Sequence, residues 1–329
     1  MTIIHDLSAN ENAYAPLPSV MGVVAGAGER SHRYPDRFSK ELTAELAERL
    51  AVPAEHLVLG VGSVGLIQQF VRATAGPGEQ VAYGWPSFEA YPHLTGTAGA
   101  EAVHVPLRAH TFDLEALAGA VTERTKLVFV CNPNNPTGTV VHRAELERFL
   151  DAVPERVTVV LDEAYREFVR DAEVPDGLDF YRERPNVAVL RTFSKAYGLA
   201  GLRIGYAVAQ EKLAAAVRAQ GTPFGVNAPA QAAAVASLAA ERELLERVEL
   251  LVKERGRLVA GLRAGGWEVP ETEANFLYLP IGSRAEEFGA ACAAVGVGVR
   301  VFPREGVRVT VGTPEATDLV LSAAAGLQG

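Results

Sequence analysis

The chain has 329 residues, 48% hydrophobic and 22% charged, with 40 acidic against 31 basic side chains for a net charge of −9. That length fills one large core and a smaller second one, and the acidic balance excludes a nucleic-acid partner. Two cysteines, Cys131 and Cys292, are too few for a disulfide framework and lack metal-ligand spacing, which fits a reducing cytoplasm and no bound metal.

The opening residues, Met1 to Ser8, carry no basic region followed by a long apolar run, so no signal peptide is expected. Residues 1–30 read as an irregular arm, stiffened by Pro16 and Pro18, that leads into a short helix. Apolar residues at 38, 42, 46 and 50 predict a helix over 38–50. Residues 57–60 predict a short buried strand, and Gly62-Ser63 opens the next helix. Further apolar runs predict strands at 80–83, 102–105, 126–130, 157–161 and 187–190, with helices between, including 114–121 and 143–153. Continuous apolar strands alternating with helices imply an α/β fold with a mostly parallel sheet sandwiched by helices. In such sheets ligands bind beyond the carboxyl ends of the strands. The character changes after Gly221. Residues 228–263 form a long helical region broken near 239–240, followed by strands at 274–279, 297–301 and 306–311. The helical region is mostly alanine at first and contains Pro229, Gln231 and Ser237, too short an apolar run to cross a bilayer. The expected division is an arm (1–30), a large domain (31–225) and a smaller α/β domain (226–329).

Five segments at strand exits carry candidate chemistry. Ser194-Lys195 follows the strand at 187–190, and Arg203 lies shortly beyond. A lysine there can form a Schiff base with an aldehyde cofactor while Ser194 and Arg203 hold its phosphate, the arrangement needed by a pyridoxal-phosphate enzyme. Asn132-Pro133-Asn134-Asn135-Pro136-Thr137-Gly138 follows another strand. Such clusters ordinarily make turns, but the Asn135 amide is placed to donate to a phenolate oxygen, and Asn135–Pro136 is a candidate cis bond. Asp162 ends an apolar strand, where a carboxylate is costly unless paired. It is either a helix N-cap or the partner of a protonated ring nitrogen, with Tyr165 in reach of the ring's phenolic oxygen. Gly60-Val61-Gly62-Ser63-Val64-Gly65 links a strand to a helix whose N-terminus suits a phosphate; it lacks the P-loop lysine and the dinucleotide-binding spacing. In Trp85-Pro86-Ser87-Phe88-Glu89-Ala90-Tyr91, an aromatic side chain is either core or a stacking surface for a flat cofactor.

Taken together, the Asn-Pro-x-Asn-Pro-Thr-Gly run, Asp162-Glu163-Ala164-Tyr165 and Thr192-Phe193-Ser194-Lys195 with Arg203 resemble the fold-type-I pyridoxal-phosphate aminotransferases over essentially the whole chain. Within them the chain is similar to the histidinol-phosphate aminotransferase group, through Asn10-Glu11-Asn12, Arg33-Tyr34-Pro35-Asp36, Ala274-Asn275-Phe276 and the stretch from Val307 to Thr313. The resemblance implies Lys195 as the Schiff-base lysine and proton shuttle, with Asp162 on the pyridine nitrogen. Asn135 and Tyr165 would take the ring oxygen and Phe88 the ring face. Ser63, the Val64 backbone, Thr192, Ser194 and Arg203 would hold the phosphate. It further implies a homodimer in which Tyr34 reaches the neighbouring subunit's phosphate. Arg308 would bind the substrate's carboxylate or phosphate, with Arg300 and Asn12 as further substrate-binding candidates.

One departure bears on substrate. Histidinol-phosphate enzymes usually carry an acidic pair after Gly-x-Gly-Ser, where this chain has Val64-Gly65 followed by Leu66-Ile67-Gln68-Gln69. This run, with Ser87-Phe88-Glu89-Ala90-Tyr91-Pro92, looks like the actinobacterial aromatic (phenylalanine-type) branch of the same group. The implied activity is ping-pong transfer of an amino group from phenylalanine, tyrosine or tryptophan to a 2-oxo acid such as 2-oxoglutarate, through pyridoxamine phosphate. Histidinol phosphate is the alternative donor. A phosphothreonine decarboxylase and a non-catalytic pyridoxal-phosphate-binding regulatory module are less favoured. The regulatory module is disfavoured because every cofactor position holds a competent residue and no DNA-binding segment is attached.

Overall fold

Apolar runs bounded by turn residues assemble into two sheets in this computed structural model, which describes residues 2–327. Met1, Gln328 and Gly329, the ends of the expected arm and C-terminal domain, lie outside the described residues. The strands are β1 (His5–Leu7), β2 (Leu57–Gly60), β3 (Gln80–Trp85), β4 (Glu101–Pro106), β5 (Thr125–Cys131) and β6 (Thr158–Asp162). They continue with β7 (Val187–Thr192), β8 (Gly205–Val208), β9 (Phe276–Leu279), β10 (Val297–Phe302) and β11 (Gly306–Thr310). The helices are α1 (Pro18–Gly28), α2 (Lys40–Leu50), α3 (Gly62–Thr74), α4 (Ala90–Thr97), α5 (Leu114–Gly119) and α6 (Arg143–Ala152). After them come α7 (Gly177–Glu183), α8 (Glu211–Ala219), α9 (Ala228–Ala239), α10 (Glu241–Ala264), α11 (Ala285–Ala294) and α12 (Pro314–Gly326).

Seven strands form the larger sheet in the order β2-β8-β7-β6-β5-β3-β4. From β7 to β4 every neighbour pair is parallel, and only β8 runs against its neighbours. The central strands are buried on both faces: Val128, Phe129, Val130, Val159, Val160 and Ala188 have no solvent exposure. This explains their unbroken apolar sequences, since helices cover both sides of a parallel sheet. The smaller sheet has the order β1-β10-β11-β9, with its own core around Leu258, Leu277, Phe288, Val307 and Val309. The architecture is therefore the mostly parallel α/β arrangement that the alternation predicts.

Two strands escape sequence patterning. β1, three residues of the arm, gains its place by pairing in parallel with β10, and β8 is a four-residue segment that no apolar pattern marks. The helix predicted over 38–50 begins at Lys40 instead. The Asp36 carboxylate accepts from the Phe38 and Lys40 amides at 3.0 and 2.9 Å, and Ser39 sits in the left-handed region, so Phe38 is left outside and exposed. The break expected near 239–240 is present, with Ala240 leaving helical geometry between α9 and α10. No helix among the described residues is long and apolar enough to cross a membrane.

Candidate active site

At the β5/β3 boundary the chain turns outward in opposite directions, to β6 on one side and β4 on the other. Such a switch point opens a crevice beyond the strands' carboxyl ends. A cavity of about 370 Å³ is lined by residues that leave these strands. Ser63 and Val64 follow β2, Phe88 follows β3 and Asn135 follows β5. Asp162 ends β6 with Tyr165 just after it, while Thr192 ends β7, and Ser194, Lys195 and Arg203 come before β8. Arg308 reaches the same cavity from β11 of the smaller sheet, and the arm closes one side with Ala9, Asn10 and Glu11. The site therefore needs both sheets and the arm.

Asp162 is buried, and its two oxygens differ. Tyr91 Oη donates to Oδ2 at 2.7 Å, while Oδ1 is buried without a partner. Burial pushes the carboxyl up to about 6, against the opposing pull of the Tyr91 hydroxyl and the Ala164 amide. A buried carboxylate oxygen with no donor is costly, and a cationic N–H entering the cavity is the group that would satisfy it. Asp162 caps no α-helix: the chain beyond it makes a turn and a short 3-10 helix at Arg166–Phe168.

The Lys195 ammonium donates to the Ala9 carbonyl at 3.2 Å and lies 5.9 Å from the Tyr165 ring centroid. Burial first, then the charges of Arg308 and Arg203, bring it down to about 8, with Glu11 pulling the other way. An amine so poised is partly neutral near physiological pH, as a nucleophile or proton acceptor must be.

An anion cradle lies beside it. Gly62 opens α3 at φ 69°, and a Cβ there would lie 2.5 Å from Arg203 Nη2, so glycine is what lets the guanidinium close on the helix start. Arg203 itself adopts a left-handed backbone (φ 60°), and its Nη1 donates to the Ala200 carbonyl at 2.8 Å. A bulky residue in that region is strained, and such strain gathers at functional sites. The Thr192 and Ser194 hydroxyls sit 3.0 Å apart. Unpaired amides of the first turn of α3, two hydroxyls and a guanidinium make a phosphate site. With the open oxygen of Asp162 and the amine of Lys195, the residues present fit pyridoxal 5'-phosphate.

Arg308 donates to Asn135 Oδ1 and to the Ser8 carbonyl, and its Nε is buried without a partner. It packs over the rings of Phe276 and Phe302, 5.5 and 6.0 Å from their centroids. Since the Asn135 oxygen is taken, its NH2 group is what it can offer a ligand.

Three expected residues do not line this cavity. Arg300 pairs with Glu89 at 2.7 Å, so its guanidinium is already neutralised. The Asn12 amide donates to the carbonyls of Lys195 and Ala196 at 3.2 and 3.0 Å, which makes it a brace for the lysine's backbone. Tyr34 is 84% exposed, with its ring 5.0 Å from Phe224. Two residues of the site were missed. Asn10, two positions before Asn12, lines the cavity with Ala9 and Glu11, donates to Tyr165 Oη at 3.0 Å and is tied to Thr310. Tyr91 was visible only as one more aromatic after Phe88.

Behind the cavity the Arg191 guanidinium donates to Glu163 Oε2 from Nε and Nη2, at 2.9 and 2.7 Å, and to Asp176 Oδ1 at 2.7 Å. Burial works against its charge, yet Glu163 and Asp176 hold it protonated. Glu163 also accepts from the Gly177 amide at 2.7 Å. The pair joins the residue after Asp162 to the residue before Thr192, fixing the ends of β6 and β7. Breaking a buried pair strands the other charge, so Arg191→Met is expected to cost about 3–5 kcal/mol, read as a lowered urea-unfolding midpoint. An unchanged midpoint would show that the pair contributes nothing.

The sequence profile described as "Aminotransferase class I and II" matches residues 2–323. The aromatic amino acid aminotransferase of Thermobifida fusca (strain YX) is 61% identical over 318 residues, covering 97% of this chain and 89% of that protein. A protein of the same name from Nocardia farcinica (strain IFM 10152) is 54% identical, covering 97% of this chain and 90% of its own length. Among solved structures, histidinol-phosphate aminotransferase from Sinorhizobium meliloti, in complex with pyridoxal-5'-phosphate, superposes with a TM-score of 0.92 at 29% identity, covering 99% of this chain and 91% of that one.

Proposed function

The chain belongs to the class I and II aminotransferases, whose cofactor is pyridoxal 5'-phosphate, and we propose that it transfers the amino group of phenylalanine, tyrosine or tryptophan to a 2-oxo acid such as 2-oxoglutarate. Bound pyridoxal 5'-phosphate supplies an aldehyde for the amino group and a ring that takes up the electron pair left when the substrate Cα loses its proton. Arg203, Ser63, the Val64 amide, Thr192 and Ser194 would hold its phosphate, Phe88 its ring face, and Asn135 and Tyr165 its ring oxygen. Asp162 would keep the ring nitrogen protonated through its free oxygen. Arg308 would bind the α-carboxylate and so orient the Cα–H bond toward Lys195. The neutral Lys195 amine would remove that proton and return it during the second half of the cycle.

The observation that carries the choice of donor is the charge of the cavity wall. Glu11 and Glu89 line it together with Val64 and Phe88, and Glu89 already holds Arg300. A phosphomonoester would meet carboxylates there, whereas an aromatic ring meets apolar side chains without that repulsion. The names of the actinobacterial relatives support the same reading. Mixing the cofactor-loaded protein with L-phenylalanine is expected to bleach the cofactor's visible absorbance at least about tenfold faster than L-histidinol phosphate does, a difference of about 1.4 kcal/mol. The opposite order would make histidinol phosphate the donor.

Tyr34, Phe38, Val61 and Phe224 are all exposed, and Tyr34 and Phe224 are in ring contact. An exposed apolar group of this kind marks an interaction surface. We propose that a second copy covers it and that Tyr34 completes the phosphate cradle of the other subunit. The arm (1–30), the large unit (31–225) and the small unit (226–329) would then be the parts of each subunit, working in the cytoplasm.

A further inference from the structure

We propose that Tyr91 is a positioning residue for this reaction: its hydroxyl holds one oxygen of the Asp162 carboxylate so that the other is presented, without a protein partner, to the cofactor's ring nitrogen. The inference rests on the role proposed for Asp162. Tyr91 belongs to the Ser87–Pro92 run but carries no role there and does not line the cavity, yet the geometry around it is specific. Tyr91 is fully buried, and its ring stacks on Phe129 with centroids 4.6 Å apart and planes within 8°. Edge contacts with Phe88, 5.6 Å away, lock the other side. Phe88 lies in the connection after β3 and Tyr91 in the first turn of α4, one lining the cavity and one behind Asp162, so a single segment would set both the ring-stacking side chain and the carboxylate.

In that setting the hydroxyl makes the 2.7 Å bond to Oδ2, with the Cys131 thiol beside it. Because it can only donate to a carboxylate, it fixes which oxygen is spoken for and favours the charged form. Burial, then the neighbouring Asp162 charge, drive the Tyr91 phenol well above its ordinary value, so it stays a donor throughout the working range. The other titratable groups around Asp162 are Cys131, opposite it on β5, and Glu163 and Tyr165 just beyond it in sequence. Burial pushes the Cys131 thiol and the Tyr165 phenol up, so both stay protonated. The Cys131 thiol is directed at the Pro133 carbonyl, the Tyr165 hydroxyl accepts from Asn10, and Glu163 is engaged by Arg191, so none of them is hydrogen-bonded to Asp162.

Tyr91→Phe removes the hydroxyl and keeps the ring stack. In cofactor-free protein labelled with 13C-aspartate, with the signal assigned by Asp162→Asn, the Asp162 carboxyl is expected to titrate about one pH unit higher in Tyr91→Phe, as losing a hydrogen bond to a charged group implies. The cofactor-loaded variant is expected to turn over about tenfold more slowly. Loaded instead with a cofactor analogue whose ring nitrogen is replaced by carbon, variant and wild type should run at the same rate, because Asp162 then has nothing to hold. An unmoved Asp162 titration, or a rate deficit that persists undiminished with the carbon analogue, would overturn the proposal and leave Tyr91 as packing. Should Tyr91→Phe fail to fold, 3,5-difluorotyrosine at position 91, a stronger donor of nearly the same shape, must lower the Asp162 titration; no change again overturns it. If Asp162→Asn is itself fully active, what fails is the role of Asp162 and not the contact.

Discussion

Lys195→Ala is expected to lose at least about 10⁴-fold in turnover, the upper range for removing a group that is both nucleophile and general base. Lys195 is the amine in a cavity whose other cations are arginines, Arg203 and Arg308, and arginine stays protonated at any working pH. No neighbour can take its place. The same substitution should leave the fold intact: the ammonium is held there against burial and against Arg308, so its loss relieves a cost instead of removing a support. Cofactor should still bind through the cradle at Gly62, Ser194 and Arg203, though it would wash out on dialysis. Steady-state turnover, the thermal midpoint and retained cofactor absorbance read the three outcomes separately. Activity within tenfold of wild type would remove Lys195 from its role.

Asp162→Asn should separate stability from activity. An amide can still accept from Tyr91 but cannot keep a ring nitrogen cationic, so the rate is expected to fall by about 10²–10³-fold, as when a preorganised charge partner is removed. Stability should move the other way. The Asp162 carboxyl stands at about 6 against an ordinary 3.8, because burial disfavours its charge. The folded protein therefore binds this proton more tightly than the unfolded chain does, and the contribution is lost as pH rises from about 4 to about 6. At pH 7 and without cofactor the aspartate would cost about 3 kcal/mol, and the asparagine variant should unfold at a higher temperature than wild type. Below pH 4 the two should coincide. A variant that is slower and also less stable at pH 7 would contradict the idea that the site stores this cost for its ligand.

The strands that form the floor of the site could be read directly. Val128 to Val130 and Val187 to Leu190 are apolar without interruption because helices bury both faces of a parallel sheet. Phe38 misled the helical pattern because a local contact, the Asp36 carboxylate on the Phe38 and Lys40 amides, overrode periodicity. β1 and β8 were invisible because three or four residues make too short a pattern, and each exists through the strand it pairs with.

Sequence by itself determined the chemistry available: a lysine, an aspartate and an arginine at strand exits, a glycine before Ser63, and an acidic surface unsuited to nucleic acid. Those features are local, because turns, strand ends and helix starts are set by neighbours along the chain. Tertiary structure decided which side chains meet. It brought Arg308 from the second sheet onto Asn135, put Asn10 and not Asn12 on Tyr165, turned Arg300 to Glu89, and set Tyr91 behind Asp162. Each of these contacts joins residues far apart in the chain, and hydrogen-bond partners at that separation are chosen by packing, which no local spacing records.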